Sequence, residues 1–571
     1  MASATRPRVA STATSRCETS LRKDSGDRDS PADRVGAVSD GTAPAAGRSG
    51  THDGPPFERV LIANRGEIAV RIMRTCRDLG IATVAVHSDA DAEAMHVRLA
   101  DRAVRIGPAA ATESYLRSEA IIEAALATAA AAVHPGYGFL SERAPFAAAV
   151  EAAGLVFVGP APATLAALGD KLEARAAARA AGVPIVPGTF EPLPLGDAAR
   201  IVAAAEAVGY PLLIKAAAGG GGRGMRRVDD PADLAAAATA AAGEARAAFG
   251  DGAVYLERLV EGGRHIEVQL LGDSRGTVVA LGERDCSTQR RHQKLVEEAP
   301  APGLTPEQRA HVHALAVTVA RSVGLRNAAT AEFLFAPDGS FYFLEVNARL
   351  QVEHGVTELV TGLDLVAEQL VLAAGAPLSP AVLAAAANAS RPDRHAIELR
   401  VSAEDPSLDF APMPGRVTRW REPGGPGVRI DSATEAGSMV SGDYDPLLAK
   451  VLVVAPERST ALARARRAVR EFETGGLQTT LPFHAWLLDH PGFVAGRPSI
   501  ELVASDWDAA PLRALAAERA ADVVARLVLE GAGAAADRSL TTGPNGLATS
   551  GATTRTPSDD RGGNWKQEPW A

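Results

Sequence analysis

The chain has 571 residues, with 59 Lys+Arg against 69 Asp+Glu and a formal charge of -10. At about 150 residues per domain this makes three or four domains with ample core, and the acidic balance argues against a nucleic-acid or membrane-surface binder. Cys17, Cys76 and Cys286 are too scattered for a disulfide framework or a zinc site, and no apolar run reaches the ~18 residues of a membrane helix. The reading is a soluble, cytoplasmic protein.

Residues 1–55 are rich in Ser, Ala, Asp, Arg, Gly and Thr and are expected to be disordered, without the apolar stretch of a secretory leader. Order begins with the apolar strand Arg59 to Ala63, a turn at Asn64-Arg65-Gly66, and a helix carrying Ile68, Ile72, Cys76 and Leu79 at helical spacing. Gly80 ends that helix, and Ile81 to Val86 forms the next strand, completing a βαβ unit. Further strands at 103–106, 131–133 and 155–158 predict an open parallel α/β domain. The dinucleotide fingerprint is absent after the first strand, where Asn-Arg-Gly-Glu stands instead. From 183 onward strands, hairpins and glycine turns dominate, and 395–455 reads as mostly β. A helix follows at about 458–473, then an amphipathic helix at 511–529 with Leu512, Leu515, Val523 and Leu527 along one face. The tail from 531 is expected to be disordered.

Lysine is scarce: Lys23, Lys171, Lys215, Lys294, Lys450 and Lys566 are the whole set. Lys215 ends a strand just before Gly219-Gly220-Gly221-Gly222, where missing Cβ atoms let backbone N–H groups close over phosphate oxygens. Without Gly-Lys-Ser/Thr this is not a Walker A loop.

Thr330 to Phe335 and Phe341 to Asn347 flank Pro337-Asp338-Gly339-Ser340 and predict a β-hairpin. A turn centred on Asp338-Gly339 sets Glu332 directly opposite Glu345, with Asn347, Phe341 and Phe343 on the same face as Glu345. Facing carboxylates destabilise a sheet unless a cation lies between them, and hard oxygen donors suit Mg²⁺ held jointly with phosphates. A solvated hairpin face is the competing reading. Arg349 and Glu353, four apart, read either as a helical ion pair or as an oxyanion-holding Arg beside a proton-accepting Glu. The basic run from Glu283 to Lys294 favours a small anion in an acidic chain, and no mechanism requires Cys286 as a nucleophile.

Taken together these segments closely resemble the biotin carboxylases, ATP-grasp enzymes of the acetyl-, propionyl- and pyruvate-carboxylase systems. The carrying motifs are Ile62 to Ala69, His134-Pro135-Gly136-Tyr137-Gly138-Phe139-Leu140-Ser141-Glu142, Gly169-Asp170-Lys171, the glycine loop, Glu283 to Lys294, and Asn347 to His354. The resemblance implies a mixed α/β and α+β multidomain fold: a Rossmann-like pre-ATP-grasp domain at 56–169, an ATP-grasp domain at 170–390 with a mobile lid at about 187–258, and a β-rich C-terminal domain at 391–500. A helical extension at 501–530 would follow.

By the same resemblance, Lys171, Lys215, Gly221 and Gly222 contact ATP phosphates, Glu257-Arg258-Leu259-Val260 is the hinge strand at adenine, and His265 and His292 complete the nucleotide site. Glu332, Glu345 and Asn347 are implied metal ligands for Mg²⁺ or Mn²⁺. Lys294, Arg349, Gln351 and Val352 are implied for bicarbonate, Glu353 as general base and Arg400 as the residue facing biotin. No Met is followed by Lys, so biotin is expected as a substrate on a separate carrier protein, with a carboxyltransferase subunit as further partner. Family members are often dimers, which makes a homodimer the expected assembly. Another ATP-grasp carboxylate–amine ligase, or a non-catalytic carboxylase scaffold, are the competing functions. Gly355 in place of the usual Pro, and Ala218 in place of a usual Gly, depart from the family pattern.

Overall fold

The computed structural model describes residues 54–217 and 225–540. The expected disorder of the N-terminal extension and the glycine loop with Gly221 and Gly222 lie outside the described residues, as does Ala218.

The first described unit is a five-stranded parallel sheet: β1 (Arg59–Ile62), β2 (Ala82–Ser88), β3 (Arg102–Gly107), β4 (Ala132–His134) and β5 (Val156–Phe157), ordered β3-β2-β1-β4-β5. Apolar residues such as Leu61, Val84 and Val133 pack on one sheet face and Val60, Ile62 and Ala85 on the other, as a sheet covered by helices requires. The turn after β1 uses Gly66 at φ +64°, and the helix Gly66–Asp78 buries Ile68, Ile72 and Cys76. Here the Asn-Arg-Gly-Glu motif acts as a brace. The Asn64 side chain donates to the carbonyls of Pro135 (2.7 Å) and Tyr137 (2.8 Å), fixing the His134–Glu142 loop. Glu67 accepts from the Tyr137 hydroxyl at 2.5 Å and pairs with buried Lys450 at 2.9 Å, tying this unit to the C-terminal part of the chain.

A smaller unit, β6 (Leu212–Ala216), β7 (Arg226–Val228) and β8 (Val254–Arg258), forms an antiparallel sheet in the order β7-β6-β8. With the helices Ala198–Val208 and Leu234–Phe249 it has its own core of Ile214, Val228, Ala241 and Leu256. A separate core is what lets a segment move as a body.

The largest element is an eight-stranded antiparallel sheet. It comprises β9 (Arg264–Gly272), β10 (Val278–Arg290), β11 (Gln293–Ala299), β12 (Asn327–Phe335), β13 (Phe341–Asn347), β14 (His395–Ser402) and the strands Leu447–Ala455 and Val428–Ser432. Its order is β13-β12-β9-β10-β11-β14, then Leu447–Ala455 and Val428–Ser432. β11 pairs with β14 from Val296↔Leu399 to Ala299↔Ala396, so hydrogen bonding continues across residue 390. At the C-terminus the last helix is Ala510–Leu540, so 531–540 is helical where a disordered tail is expected; 541–571 lies outside the described residues. No helix among the described residues is long and apolar enough to cross a membrane.

Candidate active site

Strand register gathers the chemistry onto one face of the large sheet. Glu345 lies opposite Glu332, Glu332 opposite Glu267, and Glu267 opposite Arg284, a row across four neighbouring strands. Ile266, Val268, Phe333 and Phe343 point to the other face, into a core with Val312 and Val319 of the helix Pro306–Ser322. Three aligned carboxylates repel unless cations intervene. Arg284, fully buried, grips Glu267, and Lys294 reaches Glu267 (2.5 Å), Glu332 (3.1 Å) and Glu353 (2.7 Å). Lys171 pairs with Glu345 at 2.9 Å. Burial favours a neutral Glu332, yet Lys294 and His265 hold its carboxyl well below the usual range.

The hairpin carries Glu332 and Glu345 opposite each other, as expected, but by a different route. The loop is odd in length: Ala336 N–H bonds Ser340 O, and the outer pairs are Phe335↔Phe341 and Phe333↔Phe343. A bulge between Phe333 and Glu332 then shifts the register by one residue and restores Glu332↔Glu345. The same bulge overturns one expectation. Phe341 and Phe343 do not share the face of Glu345; they pack in the core, while Glu345 and Asn347 turn to the site. Asn347 donates to Glu332 Oε1 (2.8 Å) and accepts from Arg349 Nη2 (3.0 Å).

Glu353 is completely buried and ends the turn before the helix His354–Thr361. It does not pair with Arg349. It accepts from Lys294 and, at 2.9 Å, from Arg400 Nη2, while Arg349 donates to Glu142 (2.9 Å) and Gln351 Oε1 (2.9 Å). A helical pair is ruled out because 348–353 is a turn, not a helix. Burial opposes its charge, but Lys294, Arg400 and then Arg284 hold the Glu353 carboxyl well below the usual range. Gln351 approaches Glu332 Oε1 at 3.4 Å, and the Val352 carbonyl accepts from Lys450 at 2.9 Å. Gly355 lets the helix approach the sheet closely, since a Cβ there would stand 2.3 Å from Leu452 Cδ2.

On the nucleotide side, Lys215 and Arg175 both bind the Glu257 carboxylate, which also accepts from the Tyr255 hydroxyl at 3.1 Å. The amides of Arg258 and Leu259 bond Pro187 O (2.8 Å) and Pro211 O (2.9 Å). Within the hinge segment, then, the Glu257 side chain and these two amides are engaged in the fold. His265 Nε2 meets Glu332 Oε2 at 2.8 Å, and despite burial Glu332 raises its affinity for a proton. His292 sits at the tip of the two-residue β10–β11 turn, with Arg291 at φ 48° and itself at 66°. This left-handed turn, costly for such residues, is latched by Asp409, which takes Arg290 at 2.5 Å and Arg291 at 2.7 Å. Burial, then the charges of Lys215, His265 and Lys171, disfavour a charged His292.

Cys286 is fully buried, and burial followed by Glu267 pushes its thiol well up, so it is no thiolate nucleophile. Glu267, Arg175 and Glu297 belong to the site's charge network without any motif that announces them, and Glu142 and Arg284 lie inside motifs that assign them no role. For Glu267 a signal existed: His265, Glu267 and Gln269 alternate with Ile266, Val268 and Leu270, but that pattern reads equally as a solvated sheet face.

Residues 56–165 match the family described as Biotin carboxylase, N-terminal domain; 170–381 match Carbamoyl-phosphate synthase L chain, ATP binding domain; and 398–505 match Biotin carboxylase C-terminal domain. A biotin carboxylase of Pseudomonas aeruginosa is 50% identical over 444 residues, covering 78% of this chain and 97% of that protein. One from Allochromatium vinosum is 49% identical with the same coverage. Among solved structures, the biotin carboxylase domain of Hydrogenobacter thermophilus 2-oxoglutarate carboxylase, a dimer in complex with MgADP, ADP and bicarbonate, is 42% identical with a TM-score of 0.74, covering 78% of this chain and 97% of that one. The Campylobacter jejuni biotin carboxylase–β,γ-ATP complex is 41% identical with a TM-score of 0.75, covering 78% and 98%. With all three domain families in order and half of the 444 aligned residues identical to such an enzyme, the chain belongs to the biotin carboxylase family.

Proposed function

We propose that this chain carboxylates biotin at the expense of ATP and bicarbonate, through carboxyphosphate. The observation that carries the reading is the gathering of Glu332, Glu345, Asn347, Lys294, Glu353 and Arg400 on one sheet face. Lys171 and Lys215, each now on a carboxylate, are the cations for ATP phosphates. Glu353 accepts the proton of bicarbonate, while Lys294 and Arg349 hold the resulting charge. An anion arriving on Lys294 draws that ammonium away from Glu353, which strengthens the base when it is needed. The deprotonated bicarbonate attacks the γ-phosphorus and displaces ADP, and the carboxyphosphate so formed then breaks into CO₂ and phosphate. Phosphate removes the ureido proton of biotin, whose oxygen faces Arg400.

The oxygen donors of Glu332, Glu345 and Asn347 fit Mg²⁺ or Mn²⁺. His265, Glu267 and Glu332 also converge within 4.8 Å, but Glu267 is fully buried with both oxygens held by Arg284 and Lys294, whereas Glu345 is part-exposed and held at Oε2 by Lys171, one of the cations for the phosphates. When bound, the metal supplies charge neutralisation at the phosphates. The domain reading assigns 56–169, 170–390 and 391–500, with 187–258 as lid. Its partners are a biotin carboxyl carrier protein, a carboxyltransferase and a second copy of the chain. A cytoplasmic location fits the free, buried Cys76 and Cys286.

The test is ADP formation that requires both bicarbonate and biotin. Arg400→Ala is expected to keep ATP affinity and to lower the biotin-dependent rate by about 10²–10³-fold; an unchanged rate refutes the assignment of Arg400. Glu332→Gln is expected to raise the half-saturating Mg²⁺ concentration by at least about tenfold. An unaltered Mg²⁺ titration would remove Glu332 from the ligand set.

A further inference from the structure

A second pair of opposed acids lies deeper on the same face. Glu297 of β11 is the direct partner of Glu398 of β14, and both side chains are completely buried. Unlike Glu332 and Glu345, this pair has few donors. Neither oxygen of Glu398, nor Oε2 of Glu297, has a hydrogen-bond partner among the described residues. Glu297 Oε1 is engaged by Arg400, accepting from Nε at 2.6 Å and also meeting Nη2. Arg400 Nη2 reaches Glu353 Oε2 at 2.9 Å as well, so two buried acids grip the Nε–Nη2 edge. The Nη1 edge is left for a ligand, and the side chain keeps 14% of its exposure.

We propose that Glu297 is a positioning residue for biotin, its carboxylate orienting the Arg400 guanidinium and its protonation releasing it. The proposal rests on the reading that Arg400 faces biotin. The groups facing Glu297 are Cys286 from β10, Lys294 from its own strand, Glu398 and Arg400 from β14, and Glu353 from the turn before His354–Thr361. Lys450, on Leu447–Ala455, lies opposite Arg400 but is committed to Glu67 and the Val352 carbonyl. Among the described residues only the Arg400 side chain is bonded to the Glu297 carboxylate, and Glu353 opposes its charge. Burial, then Arg400 pulling down and Glu353 pushing up, leave the Glu297 carboxyl at about 7, while burial puts Glu398 well above its usual range.

The sign follows. Glu297 is protonated below about 7 and ionised above it, so the KM for biotin in the intact enzyme should fall as pH rises from 6 to 8.5. In Glu297→Gln the biotin KM at pH 8 should rise by about tenfold, roughly one charge-assisted hydrogen bond, and lose its pH dependence. In Glu297→Asp, which keeps a titrating carboxylate one methylene further from Arg400, the biotin KM at pH 8 should also rise, while still falling as pH rises. A biotin KM in Glu297→Gln that keeps the wild-type pH dependence, raised or not, overturns the proposal, as does a wild-type biotin KM at pH 8 in Glu297→Asp should the first variant not fold. The underlying reading fails separately: Arg400→Ala would then keep the wild-type biotin KM.

Discussion

Glu353→Gln should bind ATP with wild-type affinity and lose biotin carboxylation by about 10²–10⁴-fold, the range for removing a positioned general base. The amide keeps the shape and one acceptor, which serves either Lys294 or Arg400 but not both, since they donate to different oxygens of Glu353. What it cannot do is take a proton. Bicarbonate would still meet Lys294 and Arg349, yet stay a poor nucleophile. Because Lys294, Arg400 and Arg284 outweigh burial and hold the Glu353 carboxyl well below the usual range, this base remains ionised throughout the neutral region. No acid limb from Glu353 is therefore expected above about pH 4, and any limb near 7 belongs to another group. Single-turnover ADP release with and without biotin, over pH 6 to 8.5, checks both statements. Near-normal turnover of the Gln variant would show that the proton goes elsewhere.

How much of this site can be read from the chain depends on which interactions are local. The opposition of Glu332 and Glu345 is legible from hairpin symmetry, but only because an odd-length loop and a one-residue bulge cancel. Periodicity sees alternation; it does not see a bulge, and so Phe341 and Phe343 are assigned to the wrong face. The start of the parallel first sheet is legible because β1 and β2 are short apolar runs separated by a helix with a clear 3.6 period. In contrast, the pairing of β11 with β14 joins residues about 100 apart, and nothing local announces that Glu297 will face Glu398.

The same limit hides Glu267 and Arg284. Their strands alternate polar and apolar residues as a solvated sheet does, and only the helices His354–Thr361 and Leu365–Ala373, packed over that face, turn the alternation into a buried charge array. The site residues named by family resemblance were findable because motifs survive without tertiary information. Arg400 shows the complement. A motif points to it, but its grip by Glu297 and Glu353 comes only from the assembled sheet.

Arg284→Ala is expected to be the most destabilising single change in this face. The guanidinium is fully buried and donates to four partners: Glu267, Gln269 Oε1 at 2.8 Å, Thr357 Oγ1 at 2.9 Å and Thr330 Oγ1 at 3.1 Å. Truncation would leave Glu267 buried with Lys294 as its one remaining cation, which Glu332 and Glu353 already share. Breaking one partner from a buried charge array costs about 3–5 kcal/mol, because the other partner stays desolvated. Replacing both members by neutral groups costs far less, so Arg284→Met with Glu267→Gln should recover most of the loss. Thr357 lies on the helix that begins just after Glu353, and through it Arg284 fixes that helix against β10. A drop in activity should therefore accompany the loss of stability, and the double variant should regain stability without regaining activity, since Glu267 also holds Lys294. Denaturant unfolding of the three proteins beside their turnover separates the two effects. A single variant that loses less than about 1 kcal/mol would mean that this array is solvated well enough to need no internal cation.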